Sequence, residues 1–377
     1  MITHQAIIEE LKLRLRDELK LEITEDETLE SSEDEDENKQ KIPGWKLSQV
    51  ARELKPDSFR ELSREKDKHE DKKCWTGWFL GDGDGAGKYF ESLKSLKPEE
   101  EAVKTKEFSR EMRNWGKDLR INSKKYLQDK GRMIYAGGDD FLGVLYKPNQ
   151  QIPALDCLQW FYTFKSGIWQ QPQTKKISAS VGFVWAGNQV PQRDVLQHCH
   201  LAESSAKSTG RDRIAFRILF NSGNSLEWVC PWWVLDDSDR QKFANKDMPI
   251  LPETSQNLIE SYHDRDKGKN WTHFYQDVAI LESRHAFSEH SIDIALGLLD
   301  IYFGSDWKEI IGNQKNWWNR YDENELQIFT GILGDPKSFK PDKQETREMK
   351  VLRAFNNWVI NLAKVGFQLT DNNGRTN

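Results

Sequence analysis

Two short glycine-rich stretches of the chain carry aspartates at spacings that suit metal chemistry. In the first, residues 137–140 read Gly-Gly-Asp-Asp and lie between the apolar stretches 132–136 and 141–146. Both flanks are rich in strand-forming residues, so the four residues are predicted to form the tip of a β-hairpin. The adjacent carboxylates of Asp139 and Asp140 repel each other there unless a cation joins them. The pair therefore indicates a bound divalent metal.

The second stretch follows a predicted strand, and its residues 81–88 read Gly-Asp-Gly-Asp-Gly-Ala-Gly-Lys. In such a turn before a helix, backbone N–H groups can cradle phosphates and an aspartate can hold the metal that bridges them. The spacing differs from that of a Walker A loop. Asp84 is expected to be a supporting ligand or to orient the turn. The residues expected to contact the nucleotide here are Gly83, Asp84, Gly85 and Ala86, joined by Gly138 of the hairpin.

Asp82 of the second stretch is predicted to lie beside Asp139 and Asp140. In a split βαβ order the first strand and the hairpin are neighbours at the centre of the sheet. Three carboxylates in one cleft suit two hard cations about 3.5–4 Å apart. That arrangement activates a hydroxyl and stabilises the leaving pyrophosphate in nucleotidyl transfer. The three aspartates are therefore the predicted catalytic and metal-binding residues.

The elements that must position these acids follow from the hydrophobic periodicity. Strands are predicted at 75–80, 133–146 (the hairpin), 177–185 and 214–220, and helices at 84–127 (with a break possible at Pro98), 153–166 and 195–207. The order β-α-β-β-α-β-α-β predicts an α+β, ferredoxin-like domain with helices on one face of the sheet. After residue 240 helical spacing recurs at 270–284, 290–303 and 345–365, which predicts an all-helical C-terminal domain.

Composition excludes several classes of protein. A net charge of −6 over 377 residues argues against a chain coated by nucleic acid, although it allows a local basic groove. The four cysteines stand far apart, which indicates reduced thiols in a cytoplasmic protein. No apolar stretch reaches the roughly 20 residues that span a membrane. His198-Cys199-His200 is not expected to bind zinc, because helical neighbours point about 100° apart.

A third stretch makes a family resemblance specific. Residues 202–212 read Ala-Glu-Ser-Ser-Ala-Lys-Ser-Thr-Gly-Arg-Asp, and residues 177–182 read Ile-Ser-Ala-Ser-Val-Gly. Together with the Asp-x-Asp turn and the Gly-Gly-Asp-Asp hairpin, they resemble the GGDEF/palm family of nucleotide cyclases and polymerases. The resemblance implies that Lys207 contacts the triphosphate and that Arg211 belongs to the nucleotide site.

The branch of this family is indicated by Phe90. Diguanylate cyclases read guanine with an asparagine at the corresponding position, whereas Phe90 can only pack on a purine. The form Gly-Gly-Asp-Asp with Asp-Gly-Asp-x-x-Gly-Lys at 82–88 resembles the palm of the large subunit of type III CRISPR effector complexes, in particular type III-B. That resemblance implies conversion of ATP into cyclic oligoadenylates with Mg²⁺ or Mn²⁺, in antiviral defence, when the complex engages target RNA.

The predicted domains follow from the composition and from this resemblance. Residues 1–73 are expected to be helical with an acidic, partly disordered linker, since 22–37 holds ten acids in sixteen residues. Residues 74–239 are the predicted palm. Residues 240–377 are the predicted helical domain, which in the family follows the palm and contacts small subunits.

Partners and departures from the family are also expectations. The predicted partners are other type III subunits, guide RNA and target RNA, with a second palm or a homodimer completing the site. No counterpart of the family's HD nuclease domain is recognised, and His263-Asp264 falls in a charged loop, so DNase activity is not expected. Two alternatives stay open: a non-catalytic scaffold of the RNA-guided complex, and a free-standing dimeric cyclic-dinucleotide synthase.

Overall fold

The hairpin and the first aspartate-bearing strand lie side by side within one six-stranded sheet. The computed structural model describes residues 74–147, 150–169, 177–236, 258–259, 271–321 and 327–370. The strands of the sheet are β1 (Thr76–Asp84), β2 (Gly131–Gly137), β3 (Asp140–Leu145), β4 (Ser178–Ala186), β5 (Arg213–Leu219) and β6 (Ser225–Pro231). Their order is β2-β3-β1-β4-β5-β6. The β4–β5 pair is parallel and the other pairs are antiparallel. The predicted adjacency of β1 and the hairpin is therefore confirmed.

Helices fill three of the connections between these strands, β1 to β2, β3 to β4 and β4 to β5. They are α1 (Ala86–Leu93), α2 (Pro98–Ile121), α3 (Ser123–Tyr126), α4 (Ala154–Leu158) and α5 (Gln192–Ser208). Pro98 is the first residue of α2. An N–H at this position would have no acceptor within the helix, so proline loses no hydrogen bond there. The predicted break at this residue is confirmed. The predicted helix at 153–166 is only partly regular, because α4 gives way to a 3₁₀ turn and a π-helical turn that ends at Ile168.

Both faces of the sheet are buried, whereas the sequence predicted helices on one face. Trp78, Val144 and Val184 pack towards α5 in one apolar cluster. Phe79 and Phe183, which alternate with them along β1 and β4, belong to the larger cluster on the opposite face. Apolar residues at successive positions of β1 and β4 are the sequence signal of this burial on both sides.

The sixth strand was not predicted. β6 pairs with β5 through the tight turn at 220–224, where Gly223 has a positive φ of 84°. The strand carries Glu227 in its middle and ends in Pro231, and both features weaken its strand signal. The α+β class itself is confirmed.

The C-terminal region contains the predicted helices and a small unpredicted sheet. Its elements are α6 (Trp271–Ser283), α7 (Asp293–Phe303), α8 (Ser305–Gly312), β7 (Arg320–Tyr321), β8 (Gln327–Phe329) and α9 (Arg347–Thr370). β7 and β8 form a two-stranded sheet. Strands of two and three residues are too short to show an alternating pattern, so the sequence could not reveal them.

The long helix α9 packs on the edge strand β6. The ring of Trp358 lies 5.3 Å from that of Trp228, and the Trp358 indole N–H donates a 2.8 Å hydrogen bond to the Val229 carbonyl. These contacts cover the β6 edge, where strand edges otherwise expose unpaired backbone groups. The predictions for residues 1–73 and for His263-Asp264 lie outside the described residues.

Candidate metal centre

The hairpin tip is a two-residue turn built for a close approach to β1. Gly137 pairs with Asp140, so Gly138 and Asp139 form the loop. Gly138 has a φ of 74° while Asp139 does not have a positive φ, which matches a type II′ turn with glycine at its first central position. A Cβ on Gly83 would lie 2.7 Å from the Asp139 Cβ. Glycine at position 83 therefore lets the hairpin tip rest against β1.

Asp82, Asp139 and Asp140 converge as predicted. Each offers a carboxylate oxygen, and these atoms lie within 4.8 Å of one another. Among the residues that the structure describes, no other group of three or more acids, histidines or cysteines has this geometry. An all-oxygen donor set is what hard divalent cations prefer. The residues present thus fit Mg²⁺ or Mn²⁺.

Both acids of the hairpin tip have raised pKa values, which disfavour their charged forms. Burial raises the pKa of Asp140 to about 7, and a hydrogen bond and the charge of Asp82 add to the effect. Burial also raises the pKa of Asp139, again with a contribution from Asp82. A divalent cation would relieve both effects, because it replaces lost hydration and offsets the negative charge.

Metal affinity is therefore expected to depend on pH near neutrality. Metal binding requires ionised carboxylates, so a group with a pKa near 7 must release its proton first. Below pH 7, Mn²⁺ affinity should fall by up to about tenfold per pH unit, and above pH 8 it should level off. Titrations followed by Mn²⁺ electron paramagnetic resonance at pH 6, 7 and 8 would measure this. Asp140→Asn should flatten the profile, and an affinity independent of pH in the unmodified protein would contradict the expectation.

Lys207 is the cation beside the cluster. Its ammonium group contacts Asp82 Oδ2 and lies 2.5 Å from Glu203 Oε1, one turn earlier on α5. Burial acts to lower the pKa of Lys207, but the hydrogen bonds with Asp82 and Glu203 outweigh it and raise the pKa above its ordinary value. Lys207 is therefore protonated and positively charged at neutral pH, at the edge of the acidic cluster.

A comparison with protein families covers β1 to β4 of this sheet and the start of β5. Residues 76–215 match the family model described as Cas10/Cmr2, second palm domain. These residues are thus similar to the second palm domain of Cas10/Cmr2. A comparison with curated proteins finds no significant match.

Solved structures also resemble the chain. A Csm1–Csm4 cassette in complex with cA4 has 15% identity and a TM-score of 0.36, covering 77% of this chain and 36% of that one. The same cassette with cA3 has 16% identity and a TM-score of 0.39, covering 78% and 36%. Csm1 in T. onnurineus has 15% identity and a TM-score of 0.35, covering 77% and 37%. The chain thus spans little more than a third of the length of these matched chains.

Asp84 is not part of the cluster that Asp82, Asp139 and Asp140 form. Its carboxylate accepts hydrogen bonds from the Ser180 hydroxyl at 2.8 Å, the Ser178 hydroxyl at 3.2 Å and the backbone N–H of Asp212 at 2.9 Å. Burial raises its pKa, while the Asp212 and Ser180 hydrogen bonds oppose that rise. Of the two roles expected for Asp84, this geometry suits orientation of the turn rather than metal ligation.

The loop after α5 is held by the C-terminal region. Gly210, Arg211 and Asp212 have successive positive φ angles of 123°, 62° and 52°. Arg211 is half-exposed, with Nη1 3.5 Å from Asp84 Oδ1. Asp212 is buried and accepts hydrogen bonds from Lys165 and, at 2.7 Å, from the Thr330 hydroxyl. The structure therefore places Arg211 beside Asp84 rather than beside the acidic cluster.

The remaining predicted residues lie on α1 and α5. Gly85 has a φ of 84° and precedes α1, which begins at Ala86. Phe90 is partly buried, 5.2 Å from the ring of Phe108. His198 Nδ1 lies 3.2 Å from Arg217 Nη1, and no zinc-like cluster forms around it in the described part of the chain.

Sequence reasoning missed Glu203, which contacts Lys207. Its spacing of four residues before Lys207 on a predicted helix was the available signal.

No described helix is long and apolar enough to cross a membrane.

Proposed function

We propose that this palm catalyses divalent-metal-dependent nucleotidyl transfer on ATP and produces cyclic oligoadenylates. The observation that carries the proposal is the convergence of Asp82, Asp139 and Asp140 in a Cas10/Cmr2 palm, with the Lys207 ammonium beside them. Three carboxylates and one lysine leave a net negative site that needs metal ions before it can accept a triphosphate.

The reaction follows from the roles of these groups. The 3′-hydroxyl of one ATP gives up its proton to solvent and its oxygen forms a bond to the α-phosphorus of the next ATP, while the bond from that phosphorus to the α,β-bridging oxygen breaks and pyrophosphate leaves. When bound, the metal ions lower the pKa of the attacking hydroxyl and stabilise the leaving pyrophosphate. Asp82, Asp139 and Asp140 hold those ions. Lys207 exchanges its contact with Asp82 for the triphosphate and neutralises part of its charge.

The turn after β1 orients the phosphates. Gly83 lets the hairpin tip approach, and Gly85 adopts the left-handed conformation that starts α1. Backbone N–H groups in such a turn and at the helix start favour phosphate oxygens. Phe90 on α1 has no group that could pair with a guanine edge, which favours adenine as the base.

The proposed setting is a type III CRISPR effector complex in the cytoplasm. Other type III subunits, guide RNA and target RNA are the proposed partners, and a second palm, from another subunit or from a second copy, completes the nucleotide site. The helices α6–α9 are proposed to contact neighbouring subunits. Antiviral defence is the corresponding biological role.

Product analysis tests the function. The chain, alone and in a reconstituted RNA-bound complex, is incubated with ATP or GTP and Mn²⁺ or Mg²⁺, and the products are identified by mass spectrometry. Cyclic adenylate products that depend on metal and disappear with a chelator are expected, with little product from GTP. Absence of any 3′–5′ linked product in the RNA-bound complex would contradict the proposal. A cyclic dinucleotide made by the free chain as a dimer would favour the free-standing synthase.

A further inference from the structure

The solvent face of α2 carries a continuous row of cations, which we call the basic stripe. Its members follow one another at intervals of four, three, four and three residues, and all are exposed. They are Lys106, Arg110, Arg113, Lys117 and Arg120. At about 100° per residue, the five side chains fall within an arc of about 80°. The stripe is about 21 Å long.

The stripe lies opposite the face by which α2 joins the core. The buried residues of α2 that point the other way are Phe108, Met112, Trp115, Gly116 and Leu119. The apolar face of the helix is thus occupied, and α2 has no apolar face to offer a membrane surface. What the helix presents to solvent is charge.

No acid lies within the stripe between its first and last members, although Glu107, Glu111 and Asp118 lie on the adjoining face of α2. Within the part of the chain that the structure describes, no carboxylate forms an ion pair with any of the five cations. Like charges three and four residues apart destabilise a helix. The chain as a whole has a net charge of −6, so this concentration of positive charge runs against its average composition. An anionic partner is a direct reason for such a row.

We propose that the basic stripe binds the phosphodiester backbone of an RNA strand. Successive cations lie about 5 Å apart along the helix, a regular spacing that suits repeating charges on an extended polyanion. Three of the five are arginines, which bind phosphate oxygens through paired N–H groups. Contacts of this kind are independent of base sequence. The choice of RNA over DNA as the partner rests on the proposed function. The binding of a phosphodiester backbone by the basic stripe does not depend on that function.

The bound strand would lie close to the catalytic hairpin without entering the metal site. Gly116 packs against the hairpin strand β2, where an added Cβ would be 3.3 Å from the Ala136 carbonyl and from Gly138 N. The Trp115 ring lies 5.5 Å from that of Phe141, the residue after Asp140. RNA bound to the outer face of α2 would therefore contact the same helix whose inner face packs against the Gly-Gly-Asp-Asp hairpin.

Charge reversal on α2 tests the proposal. The variant Arg110→Glu, Arg113→Glu, Lys117→Glu is compared with the unmodified full-length chain. Binding of a labelled 20-nucleotide single-stranded RNA is followed by fluorescence anisotropy between 50 and 200 mM salt, with a chelator and without ATP. Affinity is expected to fall at least tenfold. Loss of three phosphate contacts should also reduce the slope of log K against log salt by about 2.

A matched control carries the same change of charge elsewhere. Lys315→Glu, Lys337→Glu, Lys343→Glu alters three exposed lysines of the C-terminal region and should change RNA affinity less than threefold. An equal loss in this control, or no RNA binding by the unmodified chain, would overturn the proposal. Tighter binding of single-stranded DNA or of polyglutamate than of RNA would overturn the choice of partner.

Two further measurements protect the interpretation. Circular dichroism melting checks that the reversed variant folds, and the neutral variant Arg110→Gln, Arg113→Gln, Lys117→Gln replaces it if it does not. Because binding is measured without metal or nucleotide, an inactive palm leaves this result unchanged. Failure of RNA binding and failure of catalysis are thus separate outcomes.

Discussion

Replacing Asp139 and Asp140 together with asparagine is expected to reduce metal-dependent turnover of ATP by at least about a hundredfold. The substitution keeps the shape of the hairpin tip but removes two of the three carboxylates that converge within 4.8 Å. Asparagine offers only a neutral oxygen to a hard cation, so metal binding should weaken with the activity. Initial rates and Mn²⁺ titrations at pH 8 would measure both losses.

The same variant should be no less stable than the unmodified protein without metal. The pKa of each aspartate is raised in the folded state, so between about pH 4 and 7 the folded protein binds more protons than the unfolded chain. Ionisation at pH 8 therefore costs folding free energy, and asparagine removes this cost. Thermal melting in the presence of a chelator checks this, with a midpoint equal to or above that of the unmodified protein.

A control on α2 separates the site from general charge effects. Glu107→Gln removes an exposed carboxylate from the same domain but outside the cluster, and it should leave turnover within twofold. Turnover that survives the double hairpin substitution would show that the acids are not the metal ligands. An equal loss of turnover in the Glu107→Gln variant would show that turnover depends on the total charge of the domain rather than on the position of the two aspartates.

The convergence of the three acids could be predicted because its determinants are local in sequence. Adjacent apolar runs around Gly137–Asp140 fix the hairpin, and the Gly-rich turn around Asp82 fixes the end of β1. Strand order alone then brings the three acids together. The structure places Lys207 beside Asp82, and the contact of Lys207 with a triphosphate, which the family resemblance implied, stays a prediction.

The hydrogen bonds that hold Asp84 and the loop after α5 could not be predicted, because they join residues that are distant in sequence. Asp84 reaches the backbone of Asp212, and Asp212 reaches Thr330, 118 residues further along the chain. Neither the two-residue strand β7 nor the polar residues of the following segment has a periodicity that predicts such pairing. By contrast, the basic stripe and the buried face of α2 are both periodic in the sequence, so their opposition on the helix is visible without the fold.

Arg213→Met is expected to destabilise the protein by about 3 kcal/mol, because it leaves several buried carbonyls without a donor. The Arg213 side chain is 1% exposed and burial lowers its pKa to about 10. Its guanidinium donates to the Gly331 carbonyl at 2.9 Å and to the Arg211 and Ile332 carbonyls at 3.1 and 3.3 Å. Urea unfolding at pH 7.5 would measure the change in the free energy of unfolding.

The planar fork of Arg213 matters as much as its charge. Lysine at position 213 keeps the charge, but its ammonium group cannot donate to three carbonyls in these fixed directions. Arg213→Lys should therefore retain less than half of the free energy of unfolding that Arg213→Met loses. Arg193→Ala supplies the control, because its side chain is 90% exposed and its loss should cost less than about 0.5 kcal/mol. A cost below about 1 kcal/mol for Arg213→Met would mean that solvent enters and satisfies the carbonyls. A cost near 3 kcal/mol with a parallel loss of Mn²⁺ affinity would tie the segment around Gly331 to the metal centre through Asp212 and Asp84.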